Sequence, residues 1–176
     1  DGARAQNADT YLKDIALLEQ GLKDEPGNLR YVFYLAQSYR DAGMLEKSRE
    51  FYLKRASAGG WEEERWLAQF RAAQMAERLH LDEAKVYREY LQSWIAKQHR
   101  AEPLYELARY YRGRKNFDLS CYFAAQAVRI PMPETGLFVD ASVYEWRALD
   151  ELSVSATYCN AYKAAGKAAI RQLMSE

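Results

Sequence analysis

The run Leu35-Ala36-Gln37-Ser38-Tyr39, followed by Gly43, returns as Leu107-Ala108-Arg109-Tyr110-Tyr111 ahead of another short helix-forming stretch. No other feature restricts the fold as much. Val32, Leu35, Ala36 and Tyr39 fall three and four apart, which places them on one side of a helix. Gly43 ends that helix, because a left-handed closing residue costs a side chain other than glycine roughly 1–2 kcal/mol. A second periodic run follows at once, with Leu45, Ser48, Phe51, Tyr52 and Ala56 on its inner side. The two predicted helices form an antiparallel hairpin. Small Ala36 and Ser48 sit where they cross, and the rings of Tyr39 and Tyr52 fill the space beside them. Such a hairpin keeps a second apolar side that it cannot bury alone, so it predicts neighbours of its own kind.

The Leu-Ala-x-x-Tyr core, the turn and the small-residue second helix resemble the tetratricopeptide repeat, whose helix pairs stack into a curved solenoid. The expected fold is therefore all-α, a tetratricopeptide-like α-solenoid of about nine helices in one domain spanning residues 1–176. Residues 7–24 read as the second half of a repeat whose first half lies upstream, with Tyr11, Ile15, Leu18 and Leu22 as the inner stripe. Pro26 breaks this helix, and Asn28 caps the hairpin over 29–57. The pair over 61–97 opens on an acidic turn, Glu62-Glu63-Glu64, which suits the positive end of a helix dipole. Leu67 and Ala68 match the repeat motif there, but Arg71 stands where its Tyr belongs, so the unit reads as degenerate. The copy over 101–129 is followed by Ile130-Pro131-Met132-Pro133-Glu134-Thr135-Gly136, which excludes a regular helix. Over 142–174, Ser142 and Glu145 read as a capping box, and Asn160 as a turn residue in the role of Gly43.

Lys plus Arg balances Asp plus Glu at 25 each, so the chain lacks the basic surplus of a nucleic-acid binder and leaves room only for a local basic stripe. No apolar run approaches the length of a membrane span, and no charged-then-apolar leader opens the sequence; it reads as a soluble protein. Cys121 and Cys159 are too few and too isolated for a disulfide framework or a zinc site, and read as reduced, buried thiols of a cytoplasmic protein. Most of the 14 tyrosines and 4 tryptophans are expected in the packing between helices.

No catalytic set emerges. His80 and His99 lie in or beside turns without a metal partner at helical spacing, and no Gly-rich phosphate loop or Gly-x-Ser-x-Gly occurs. No catalytic residue, metal site or cofactor is predicted. What remains is a surface. The first helices of stacked hairpins line a groove, and their outer side is expected to carry Arg30, Phe33, Tyr34, Gln37, Arg40 and Asp41, with Glu102, Tyr105, Glu106, Arg109 and Arg112 from the later copy. Arginines beside tyrosines suit a peptide carboxylate, a phosphate or a sugar ring. The competing expectation is a solvated face whose charges pair along the helix, as Glu106 with Arg109. Phe33 and Gln37 stand where carboxylate-clamping repeats carry Lys and Asn, which argues against such a clamp.

Beyond the repeat, several stretches together resemble the helical C-terminal region of bacterial family 2 glycosyltransferases: residues 1–4, 11–14, 31–43, 59–61, 101–111 and 143–155, the last reading Val-Tyr-Glu-Trp-Arg-Ala-Leu-Asp-Glu-Leu-Ser-Val-Ser. That resemblance implies a nucleotide-sugar-binding catalytic domain upstream, since the metal-binding Asp-x-Asp of such enzymes is absent here. This chain would then orient an acceptor or a partner protein, with Tyr144, Trp146 and Arg147 as a contact to the catalytic domain, unless Trp146 caps the helical core. The alternative is a free-standing adaptor for a peptide or protein. Self-association through the first or last helix is open to either.

Overall fold

The computed structural model describes residues 8–134, 136 and 138–175. Helices α1 (Ala8–Asp24), α2 (Leu29–Asp41), α3 (Leu45–Ser57), α4 (Glu62–Arg78), α5 (Glu83–Ala96), α6 (Glu102–Gly113), α7 (Phe117–Val128), α8 (Ala148–Ala156) and α9 (Lys163–Leu173) account for most of the chain. No strand occurs among the described residues. The chain divides within α5 into two compact units, residues 1–89 and 90–176.

In the first unit, α1 packs on α2, α2 on α3 and α3 on α4. Asn28 starts α2 as its composition suggests, its side chain accepting from the backbone N–H of Arg30 at 3.1 Å and of Tyr31 at 3.3 Å. Ala36 and Ser48 are both fully buried, and Ser48 Oγ donates to the Ala36 carbonyl at 2.9 Å. The close crossing thus serves both packing and a buried hydroxyl. Tyr39 and Tyr52 flank it, buried to within 2% of full enclosure, each burial contributing about 1.5–3 kcal/mol. Tyr39 also donates to Glu19 of α1. Arg55, an ordinary polar position in the sequence, is 1% exposed and forms an ion pair with Glu64 of α4, while its other nitrogens reach the carbonyls of Gly59 and Trp61. Glu64 therefore joins α3 to α4 as well as opening a helix.

In the second unit, α6 packs on α7, α7 on α8 and α8 on α9. Asn116 caps α7, accepting from Leu119 N–H at 3.3 Å. Buried Ser120 and Ser155 share a hydrogen bond of 2.7 Å that joins α7 to α8. Gly166 fixes α9 against α8, since a Cβ there would lie 2.4 Å from that of Ala156. The capping box expected at Ser142 does not form: Ser142 is already helical and its hydroxyl donates to Asp140. Val143–Arg147 is a π-helical turn that runs into α8. Asn160 begins a short 3₁₀ turn, Asn160–Tyr162, and does not take the left-handed conformation of Gly43.

The reversal after α2 is built as expected and recurs. Gly43 has φ +77°, and Met44 N–H bonds the Tyr39 carbonyl at 2.8 Å. After α4, His80 takes φ +53° and Leu81 N–H bonds Ala76 O at 3.1 Å; after α6, Lys115 takes φ +59° and Asn116 N–H bonds Tyr111 O at 3.0 Å. Aligning these closures corrects the register of the degenerate repeat. Ala72, Ala73 and Ala76, rather than Leu67, Ala68 and Arg71, stand at the places of Leu35, Ala36 and Tyr39. The longer α4 carries its matching stretch nearer its C-terminal end.

Two substitutions test the reversals by urea denaturation. Gly43→Ala is expected to lower stability by about 1–2 kcal/mol. Lys115→Gly is expected to raise it by up to about 1 kcal/mol, relief of strain outweighing the added freedom of the unfolded chain. A stabilising Gly43→Ala would contradict the left-handed closure.

Candidate functional site

An open groove of about 710 Å³ runs between α1 and α2. From α1 it is lined by Thr10, Tyr11, Asp14, Leu17 and Leu18, and from α2 by Tyr34, Gln37, Ser38 and Asp41. Each set is one stripe with helical spacing, so the trough runs between two helices whose facing outer edges mix polar, ring and leucine side chains. Ile15, Leu35 and Tyr39 form the core beneath, with Leu18 and Leu22 packed against it. Leu17 is 72% exposed and Tyr34 40% exposed.

The ionised groups lining the groove are the carboxylates of Asp14 and Asp41. They differ in their surroundings. Asp41 is held by Arg40 through two bonds of 2.8 and 3.2 Å. Burial works against the Arg40 charge, but the Asp41 hydrogen bond and the nearby Tyr52 and Tyr11 oxygens outweigh it and hold its pKa above the ordinary value. Asp14 has no ion-pair or hydrogen-bond partner among the described residues. Arg30 lies along the outer edge, its Nε and Nη2 donating to the Tyr34 hydroxyl at 3.3 and 3.2 Å with its guanidinium over the ring.

This groove differs from the one expected between the first helices of stacked hairpins: Tyr34, Gln37 and Asp41 line the α1–α2 trough, and no residue of α6 does. Phe33 does not: it is 2% exposed and meets the Tyr52 ring edge to face, so it belongs to the core. In the second unit, Glu102 and Tyr105 are buried. Arg109 forms an ion pair with Glu106 at 2.6 Å, and Arg112 with Glu151 of α8. The hydrogen bond to Glu151 raises the Arg112 pKa above its ordinary value. Arg40, Arg109 and Arg112 thus already face carboxylates.

Of the residues expected to contact another domain, Tyr144 and Arg147 are knit into the second unit. Buried Arg100 pairs with Glu102, and Glu102 also accepts from the Tyr144 hydroxyl at 2.6 Å and the Asp140 N–H at 3.3 Å. Tyr144 Oη in turn accepts from the Ala101 N–H at 3.0 Å, and Arg100 reaches the Phe138 carbonyl at 3.2 Å. Burial and the bond to Glu102 push the Tyr144 phenol well above its ordinary pKa, so it remains a donor. Arg147 bonds Asp140 at 2.9 Å and the Tyr105 hydroxyl at 3.1 Å and lies over the Tyr105 ring. Trp146 is 49% exposed rather than enclosed as a core cap. Sequence reasoning missed this hub because Arg100 and Glu102 sit at a helix start, where charges usually meet water.

Cys121 and Cys159 are buried free thiols. Burial pushes the Cys121 thiol up to about 12, with Cys159 and Asp118 adding to the effect. Cys159 Sγ donates to Asp118 at 2.8 Å. Among the described residues no group of three or more His, Cys, Asp or Glu side chains is placed to hold a metal ion, and no helix is long and apolar enough to cross a membrane.

No protein-family model matches the chain, and no curated protein matches it. Two crystal structures of MamA do resemble it. One superposes with a TM-score of 0.67 at 14% identity, covering 92% of this chain and 87% of that one. The second gives 0.61 at 14% identity, covering 91% and 77%. The fold is the tetratricopeptide-type α-solenoid. At that identity the likeness to MamA speaks for the fold alone.

Replacing Tyr144 by Phe removes a hydrogen bond to a buried carboxylate and leaves the ring in place. It is expected to lower stability by about 1.5–3 kcal/mol in urea melts. A change below about 0.5 kcal/mol would place Tyr144 outside the hub.

Proposed function

We propose that this chain is a helical interaction scaffold that holds a protein or peptide partner in the α1–α2 groove of its first unit, and that it performs no chemistry of its own. The observation carrying this reading is Asp14: a carboxylate without a partner among the described residues, in a 710 Å³ trough, with the exposed face of Leu17 beside it and the Tyr34 ring opposite. A partner that brings a cation and an apolar side chain together gains on both counts. An anionic ligand would meet two carboxylates in the groove, while Arg40 is already held by Asp41. The phosphate or peptide carboxylate suggested by the arginine–tyrosine pattern is therefore disfavoured. The buried, high-pKa Cys121 thiol is a poor nucleophile, which also favours recognition over catalysis, and free thiols suit a reducing compartment such as the cytoplasm.

A more specific placement rests on the resemblance of several stretches to the C-terminal region of family 2 glycosyltransferases. In that setting the scaffold would position an acceptor or partner for a catalytic domain encoded upstream. It requires strands alternating with helices and an Asp-x-Asp in the reading frame before Asp1; a stop codon directly upstream leaves the free-standing adaptor.

The groove is tested with a fluorescein-labelled amphipathic peptide of leucine and lysine, its lysines four residues apart, titrated by fluorescence anisotropy. Binding is expected to weaken at least about fivefold in Asp14→Asn, about 1 kcal/mol, and to fall with added salt. Equal binding by Asp14→Asn, or equal binding of a leucine–glutamate peptide, would remove the groove from this role.

A further inference from the structure

Helix α9 is the chemical complement of the α1–α2 groove. Lys163, Lys167 and Arg171 stand four residues apart on it, so they form one stripe, and α9 contains no acidic residue. All three are exposed and have no ion-pair partner among the described residues. Ile170 and Met174, 42% and 83% exposed, lie beside the stripe, and exposed Ala164 and Ala168 leave room for close approach. The opposite face is committed, because Gly166 and Ala169 are buried and Gly166 lies tight against Ala156 of α8. What α9 offers to solvent is therefore a fixed cationic ridge with apolar shoulders.

We propose that the occupant of the α1–α2 groove is α9 of a second copy of this chain, with Lys167 on Asp14 and Ile170 or Met174 against Leu17. The proposal rests on the reading of that groove as a partner site and names the partner. The dimensions agree. From Lys163 to Arg171 the stripe spans about 12 Å, and the α2 lining from Tyr34 to Asp41 about 10 Å, at 1.5 Å rise per residue. The charges agree as well, three unpartnered cations facing a trough whose ionised lining groups are carboxylates. The contact joins unlike surfaces, groove to ridge, so each copy offers one of each to its neighbours.

The test is sedimentation velocity of the whole chain over a range of concentrations, with circular dichroism as the check on folding. Self-association is expected, weakened at least about tenfold by Asp14→Lys and equally by Lys167→Glu. Mixing these two variants is expected to restore association, because each supplies the surface that the other has lost. Glu46→Lys, an exposed charge reversal on α3 that belongs to neither the groove lining nor α9, is expected to leave it unchanged. A chain that stays monomeric, or one whose association ignores both reversals or is not recovered on mixing, overturns the proposal. The leucine–lysine peptide separates this failure from that of the groove: if the peptide still binds in an Asp14-dependent way, the groove stands and only its occupant is wrong.

Discussion

Three helix ends in this protein close through the same hydrogen bond, from an N–H just past a left-handed residue back to the carbonyl five residues earlier: Met44 to Tyr39, Leu81 to Ala76 and Asn116 to Tyr111. A closure of this kind satisfies carbonyls that a helix end would otherwise leave open and turns the chain within about two residues. After α2 and after α6 the next helix then packs on the one just finished. Antiparallel neighbours at short range are thereby imposed by backbone geometry, and the side chains are left to decide how closely they approach. Only Gly43 takes the left-handed conformation without strain; at His80 and Lys115 the surrounding packing maintains a conformation that a Cβ disfavours.

Two different devices hold the pairs once the reversals have placed them. Small residues let backbones approach, as Ala36 and Ser48 do, and the rings of Tyr39 and Tyr52 enclose the gap. Buried ion pairs then fix the entry into the next helix: Arg55 with Glu64 between α3 and α4, and Arg100 with Glu102 where α6 begins. Removing one partner of such a pair leaves a buried charge uncompensated, a penalty of about 3–5 kcal/mol. The outer edges of α1 and α2 stay open because no such device closes them, and that is where a carboxylate without a partner among the described residues and an exposed leucine meet.

The helical class and the first hairpin were readable from residue spacing, because period-3.6 apolar stripes and a glycine reversal are local signals. The repeat within α4 was misaligned because Leu67-Ala68 resembles the motif by letter, whereas the left-handed turn at His80 sets the true register and carries no glycine to announce it. The α1–α2 trough is a different groove from the one expected between first helices. Tyr34, Gln37 and Asp41 follow from helical spacing along α2, but which side of α2 stays open depends on where α1 packs, a tertiary fact. Phe33 fell on the wrong side of that division. The arginines misled for a related reason: Glu106, Asp41, Glu151 and Asp140 hold four of them, and one of those pairs, Arg112 with Glu151, joins residues 39 apart in sequence. Spacing on one helix could anticipate Glu106 with Arg109 and nothing beyond it. The buried Arg100–Glu102 hub gave no sequence signal at all, since its neighbours Tyr144 and Asp140 are reached only through the fold.

The central claim is that three equivalent backbone closures organise the helix pairs, and native-state amide hydrogen exchange reads those bonds directly. Met44, Leu81 and Asn116 each sit just outside a helix, where an ordinary loop amide exchanges freely. The account predicts that all three are protected to a degree comparable with the interior of the helices they close. Exchange at any of them as fast as in an open loop would contradict it, and would leave the pairing of those helices to side-chain packing alone.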